Sequence, residues 1–183
     1  MSRLFSRALP VAVSACAALA LTGGLPAAAA TSATTTAVTP AVSCSTSYLP
    51  LPDPSCTPGA LNPDVTQSTI DSTICVSGWT ATIRPSTSYT NKLKTEQIAE
   101  YGYADTNLSD YEEDHFLPLE LGGAPKDPNN LWPEPHAGDD NSYSKDSVEN
   151  AVKKAVCAGK ATLSAAQQAM LTDWTTAEST LGI

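Results

Sequence analysis

Four cysteines constrain the fold of this chain more than any other feature. After an N-terminal leader they are Cys44, Cys56, Cys75 and Cys157. An even number of cysteines in an exported chain predicts two disulfides, and four cysteines allow three pairings. None of them has the close Cys-x-x-Cys spacing of a zinc site. We predict that Cys44 pairs with Cys56 around a short proline-rich loop. Cys75 then pairs with Cys157, closing a loop of roughly 80 residues that is worth about 4 kcal/mol on the chain-entropy account.

Residues 1–30 have the organisation of a secretory signal peptide. Arg3 and Arg7 precede a mainly apolar run, and the segment ends in four consecutive alanines. This pattern predicts export with cleavage after Ala30. The apolar run is too short and too interrupted for a membrane anchor. We therefore expect a secreted protein without a membrane partner.

The net charge limits the classes of partner that the chain can bind. The leader carries two of the 10 basic residues and none of the 19 acidic ones, so cleavage changes the net charge from −9 to −11. Phosphate binding depends on lysine and arginine, and such an acidic chain is not expected to coat nucleic acid. An enzyme with a local basic groove and a metal ion remains compatible with this charge.

The remaining chain divides at residue 58. Residues 31–58 begin with a Thr/Ala-rich segment that has no apolar period, which predicts a disordered linker. A proline-rich flap between Cys44 and Cys56 follows. Residues 59–183 have the length and the apolar patterning of one small domain.

Periodicity predicts an α+β order for this domain. We expect a short helix over 66–75, a strand over 79–84 where β-formers alternate, and a helix over 90–101. A strand, a turn and a return over 111–121 should be followed by a second short strand at 130–132.

The C-terminal part should be helical. Asp146 and Glu149 have the spacing of a capping box, and an apolar stripe continues to Val156 before Gly159. This predicts a helix from Asp146 to about Gly159. A last helix should follow over 164–174.

The segment 110–136, DYEEDHFLPLELGGAPKDPNNLWPEPH, contains both histidines of the chain. His115 directly follows three acids. A neutral imidazole is the natural proton acceptor near pH 7, and it would take the proton from an attacking water. The same residues could instead form a solvated, acidic strand face.

This segment resembles the HNH endonuclease family, whose ββα-metal core hydrolyses phosphodiester bonds. It is further similar to exported bacterial HNH-like proteins with EDH, PLELGG and NLWPEP motifs and a Lys-Asp at the start of the helix, over 57–174. The matching residues are Glu113-Asp114-His115, Pro118 to Gly123, Asn130 to Pro135, Lys145-Asp146 and Glu149-Asn150.

The resemblance implies a ββα hairpin-helix core with flanking helices, and a role for each matching residue. Asp114 would bind one divalent metal ion, with magnesium preferred over manganese or zinc. Asn130 would complete the catalytic set by fixing the loop and orienting His115, and Lys145 would contact the phosphate. The substrate would be nucleic acid, DNA in preference to RNA, and the protein a monomer.

One position departs from the family pattern. Typical members carry a second histidine ligand on the helix, and this helix has none. His136, which precedes the helix, a carboxylate such as Asp146 or Glu149, or water alone could take its place. The departure also keeps a second hypothesis open, namely a non-catalytic extracellular binding protein on a degenerate HNH scaffold.

Overall fold

The computed structural model describes residues 43–183, so the predicted signal peptide and the linker up to residue 42 lie outside the described residues. It confirms a small α+β fold of helices around a two-stranded sheet. None of the helices in the described part has the length and apolar character needed to cross a bilayer. The elements are α1 Trp79–Ile83, α2 Thr87–Glu100, β1 Tyr111–His115, β2 Leu131–Pro135, α3 Ser142–Cys157, α4 Leu163–Asp173 and α5 Ala177–Leu181.

The two strands form an antiparallel hairpin that carries the segment 110–136. Tyr111 lies opposite Pro135, and His115 lies opposite Leu131. Successive side chains of a strand point to opposite faces. Asp114 reaches Lys145 on α3, so the neighbouring Glu113 faces away from α3.

A single apolar core lies between the hairpin loop and the C-terminal helices. α3 contributes the predicted stripe, of which Val152 and Val156 are buried. Burying such side chains stabilises the fold by roughly 1.5–3 kcal/mol each. The largest fully buried apolar side chains are Trp132, Trp174, Ile74, Leu117, Leu121, Leu131 and Met170.

The proline-rich flap packs on this core. Cys44 is buried in it, and the indole Nε1 of Trp174 donates to the carbonyl of Pro50 at 3.2 Å. The hydroxyls of Thr57 and Tyr101 are 2.8 Å apart. These contacts tie the flap to α2 and to the C-terminal helices.

The structure confirms both predicted disulfides. Cys44 pairs with Cys56 across 12 residues, and Cys75 pairs with Cys157 across 82 residues. The second bridge joins the segment before α1 to the end of α3.

Two N-terminal predictions of secondary structure are wrong or only partly right. Residues 79–83 form the short helix α1, not a strand, with Gly78 in the left-handed region before it. In the segment 66–75 only Ile70–Ser72 forms a 3₁₀ turn. The hydroxyl of Thr73 donates to the carbonyl of Thr69, and such local bonds compete with regular helix.

The C-terminal half differs from the prediction at three points. Leu119–Leu121 is a 3₁₀ turn, so no strand returns there. α3 begins at Ser142, one turn before the predicted Asp146, because Asn141 and Ser144 form the capping box. The helix over 164–174 is α4, but it is not the last, since α5 follows.

Candidate functional site

A cavity of about 230 Å³ lies against the end of β1 and the first turns of α3. Asp114 and His115 both line it, although they are adjacent on a strand. β1 ends at His115, so its side chain is not confined to the opposite face. The other charged residues that line the cavity are Arg84, Glu112, Glu120, Asp146 and Glu149.

The tautomer and the protonation state of His115 follow from its hydrogen bond and its burial. Its Nε2 lies 3.1 Å from the carbonyl oxygen of Pro125. A carbonyl only accepts hydrogen bonds, so Nε2 carries the proton and donates it. Burial lowers the pKa of His115 below its usual value, against the opposing effect of Asp114. The ring is therefore neutral at pH 7, and Nδ1 is its basic nitrogen.

Lys145 lies beneath the cavity and does not line it. Its side chain is only 1% exposed, and Nζ donates to Asp114 Oδ2 at 2.5 Å and to the carbonyl of His115 at 2.9 Å. A third donor goes to Glu149. These three bonds use all the N–H groups of an ammonium. Lys145 thus holds two cavity carboxylates and the end of β1 in one arrangement.

Lys145 also sets the charge of the carboxyl groups around it. Burial alone would raise the pKa of Asp114, but the Lys145 ammonium, together with Glu134 and His115, outweighs burial and holds that pKa below its usual value. Burial raises the pKa of Glu134, which Asp114 raises further, well above the usual value. At pH 7 Asp114 is therefore ionised and Glu134 is protonated. Burial raises the pKa of Glu149 to about 8, although Lys145 opposes this shift.

The remaining acids of the cavity hold their protons more tightly than free carboxyl groups do. Burial, Asp114 and Asp146 together raise the pKa of Glu112 to about 7. Burial also raises the pKa values of Glu120 and Asp146. A cation entering this cavity would favour the ionised forms of these carboxyls.

Asn130 is fully buried and fixes the loop that follows β1. Its Oδ1 accepts from the backbone N–H of Leu117 at 2.9 Å, and Nδ2 donates to the carbonyls of Leu117 and Ala124 at 3.0 and 3.2 Å. Ala124 directly precedes Pro125, whose carbonyl accepts from His115. Asn130 therefore acts on His115 only through the backbone and does not line the cavity.

His136 lies away from the first cavity. It lines a second one, of about 320 Å³, that shares Arg84, Glu112 and His115 with the first. Its Nδ1 is 2.6 Å from the hydroxyl of Ser142. The structure thus brings Asp114 and His115 together, but places Lys145, Asn130 and His136 outside that cavity.

Arg84 is a lining residue that the sequence favours only as a scattered surface charge, although a phosphate contact is the alternative. It lines both cavities, and none of the ion pairs within residues 43–183 includes it. A lone arginine before a proline carries no motif, and its place depends on how α1 packs. Glu112 and Glu120 are also lining residues, although their sequence context is equally that of a solvated face.

The donor set of the cavity fits a hard divalent cation. Carboxylate oxygens are the ligands that such ions prefer, and Asp114 has one oxygen, Oδ1, that Lys145 does not bind. Within residues 43–183, no three acidic, histidine or cysteine side chains are placed to hold an ion by themselves. Magnesium is commonly bound by one or two carboxylates together with water and substrate phosphate, which this arrangement can accommodate.

Comparisons with protein families, curated proteins and solved structures give no match to this chain.

Proposed function

We propose that this protein is an exported, metal-dependent endonuclease of the HNH type, with β1, β2 and α3 as its ββα core. The proposal joins the motif resemblance to the arrangement of His115, Asp114 and Arg84 at one cavity. The two disulfides support export, because disulfides persist in oxidising compartments.

The observation that carries the proposal is the orientation of His115. Its Nε2–H donates to the carbonyl of Pro125, so Nδ1 is the nitrogen that can accept a proton from water. Burial keeps the pKa of His115 below its usual value and the ring unprotonated at neutral pH. A buried, oriented and neutral imidazole at a cavity wall is what general-base hydrolysis requires.

Asp114 would hold the divalent metal ion through Oδ1, with Glu149 or Asp146 as further oxygen donors from α3. When bound, the ion supplies Lewis-acid stabilisation of the phosphate and of the leaving oxygen. Lys145 orients Asp114 and Glu149 from below and keeps Asp114 ionised. Arg84 would bind a phosphate oxygen, for which a guanidinium is well suited.

Asn130 has a positioning role in this scheme. Its three short hydrogen bonds to Leu117 and Ala124 fix the loop that presents the carbonyl of Pro125 to His115. The nucleophile would be water, deprotonated by His115, and the bond broken would be a phosphodiester.

The test is digestion of plasmid DNA and of structured RNA by the mature protein, with magnesium, manganese or zinc and with chelator. We expect cleavage in the presence of metal, and a loss of about 10²- to 10⁴-fold in the rate for His115→Ala. Circular dichroism and the thermal midpoint must show that the variant is folded. Digestion at the wild-type rate by folded His115→Ala would refute the role of His115.

A wild-type protein that digests no substrate with any of the three metals would favour the second hypothesis, a binding protein on a degenerate scaffold. The specific observation behind it is that the cation closest to Asp114 is already the ammonium of Lys145. Measuring nucleic-acid binding in the same samples separates a binding protein from one with no nucleic-acid partner.

A further inference from the structure

One exposed tyrosine is stacked on His136, a residue that lines the second cavity. Tyr143, in the first turn of α3, is 61% exposed, more than any other large hydrophobic side chain within residues 43–183. By contrast, Trp132 is fully buried. Among the aromatic side chains of the described residues, Tyr143 therefore offers the most exposed ring.

Tyr143 does not project alone, because its ring is stacked on His136. The two ring centroids are 4.8 Å apart, and the planes differ by 14°. His136 is held in turn: its Nδ1 lies 2.6 Å from the hydroxyl of the buried Ser142, and its backbone N–H donates to the carbonyl of Asp110. The inner face of Tyr143 is thus covered by a fixed ring, and its outer face is open to solvent.

The stacked pair lies at the edge of the space that contains His115. His136 lines the second cavity, together with Arg84, Glu112 and His115, and these three residues also line the first. A strand that is bound near Arg84 and His115 and continues past His136 would meet the ring of Tyr143.

We propose that Tyr143, supported by His136, is a stacking platform for an unpaired nucleobase, and that the substrate strand at this site is single-stranded. This inference rests on the proposed function and deepens it by naming the substrate class. Base–aromatic stacking tolerates any sequence, since every base has a π-face. In a duplex those faces are covered by neighbouring bases, so the platform distinguishes single strands from duplexes.

The charge of the protein supports the same conclusion. The mature protein's expected net charge of −11 offers little of the electrostatic attraction on which duplex binding depends. Stacking must then supply much of the affinity.

The experiment measures binding separately from cleavage. The mature protein with His115→Ala, which should not cut, is titrated into a fluorescein-labelled 12-nucleotide single strand of mixed sequence and into the matching duplex, with magnesium present. In that background, Tyr143→Ala should weaken single-strand binding by roughly 5- to 150-fold. Tyr143→Phe should restore it, because the ring is retained.

Tyr48→Ala is the matched control, since Tyr48 is also an exposed tyrosine, at 48%, and lines neither cavity. It should bind like the parent, and none of the variants should change duplex binding by more than a few fold. Equal single-strand affinity for Tyr143→Ala and its parent overturns the platform. Absence of single-strand binding by the parent, or an equal loss for strand and duplex, overturns it as well.

The two proposals fail in different ways. If the wild-type protein cuts nucleic acid but Tyr143→Ala cuts and binds single strands normally, the platform is wrong and the nuclease stands. If no metal supports cutting but single-strand binding still depends on Tyr143, the nuclease is wrong and the platform stands.

Discussion

Two buried lysines hold the same strand at its two ends. Lys94, on α2, donates from Nζ to the carbonyl of Tyr111, where β1 begins, at 2.7 Å. Lys145, on α3, donates to the carbonyl of His115, where β1 ends, at 2.9 Å. Both side chains are removed from solvent, so in both regions the burial of an ammonium must be offset by its partners.

The remaining partners of the two lysines differ in charge. Lys94 has one more acceptor, the neutral carbonyl of Leu108 at 2.8 Å. Lys145 has the carboxylates of Asp114 and Glu149. The first lysine therefore fixes only the backbone, whereas the second also fixes the charges that face the cavity.

The neighbouring acids follow the same division. Glu113, near Lys94, has no hydrogen-bond partner for its carboxyl oxygens among residues 43–183. Burial raises its pKa to about 9, although Lys94 opposes this shift. Glu113 is thus neutral at pH 7, while Asp114, the next residue, is ionised by Lys145. These adjacent acids differ in charge because Lys94 binds only main-chain carbonyls, whereas Lys145 binds the carboxylate of Asp114 directly.

Replacing Lys145 should have the largest effect on stability. Lys145→Met leaves Asp114 and Glu149 buried without a cation, and breaking a buried ion pair costs about 3–5 kcal/mol in the free energy of unfolding. Without the ammonium the pKa values of these carboxyls rise, so the loss should be larger at pH 8 than at pH 5. Urea unfolding at the two pH values measures it.

Lys154→Met, an exposed lysine on the same helix, serves as the control for Lys145→Met and should change the unfolding free energy little. A cost below about 1 kcal/mol for Lys145→Met, independent of pH, would show that Lys145 does not organise the carboxyls.

Glu113, the acid near Lys94, provides a pH-dependent test of the Lys94 side of the comparison. Its folded pKa of about 9 lies above the unfolded value near 4.5, so between these values the unfolded state binds fewer protons and stability falls as pH rises. Glu113→Gln cannot ionise and should remove this fall. We expect it to gain about 2–4 kcal/mol relative to wild type between pH 5 and pH 8.

Unfolding curves of wild type and Glu113→Gln at both pH values check the prediction, with the exposed Glu96→Gln on α2 as control. If the difference between wild type and Glu113→Gln does not change with pH, Glu113 is not held in its neutral form.

Much of the fold could be predicted because its signals are local. α2, α3 and α4 follow from short-range periodicity, and the two paired strands follow from the pattern of residues 110–136. Cysteine parity predicts two disulfides but leaves three pairings open. α1 could not be predicted, since five residues with alternating β-formers can equally make one helical turn. Here the hydroxyl of Thr82 donates to the carbonyl of Trp79 within that turn. Tertiary contacts override so weak a propensity.

The candidate site likewise contains residues that could be predicted from local sequence and residues that could not. His115 and Asp114 could be found because they belong to one contiguous motif. The burial of Lys145 could not, because its three acceptors come from β1 and from α3 and meet only in the folded chain. The position of Arg84 likewise depends on α1 and on packing between distant segments.

Replacing Lys94 should have the smallest of the three effects. Lys94→Met removes two hydrogen bonds to main-chain carbonyls, of Leu108 and Tyr111, and also removes the cost of burying an ammonium. We expect a loss of about 1–2 kcal/mol in the free energy of unfolding. The loss should be the same at pH 5 and pH 8, because the neighbouring Glu113 stays protonated in the folded protein.

Lys92→Met, two residues earlier and exposed, is the matched control for Lys94→Met. A pH-dependent loss as large as that of Lys145→Met would mean that both lysines organise charge, and the distinction between the two sides of the strand would be wrong.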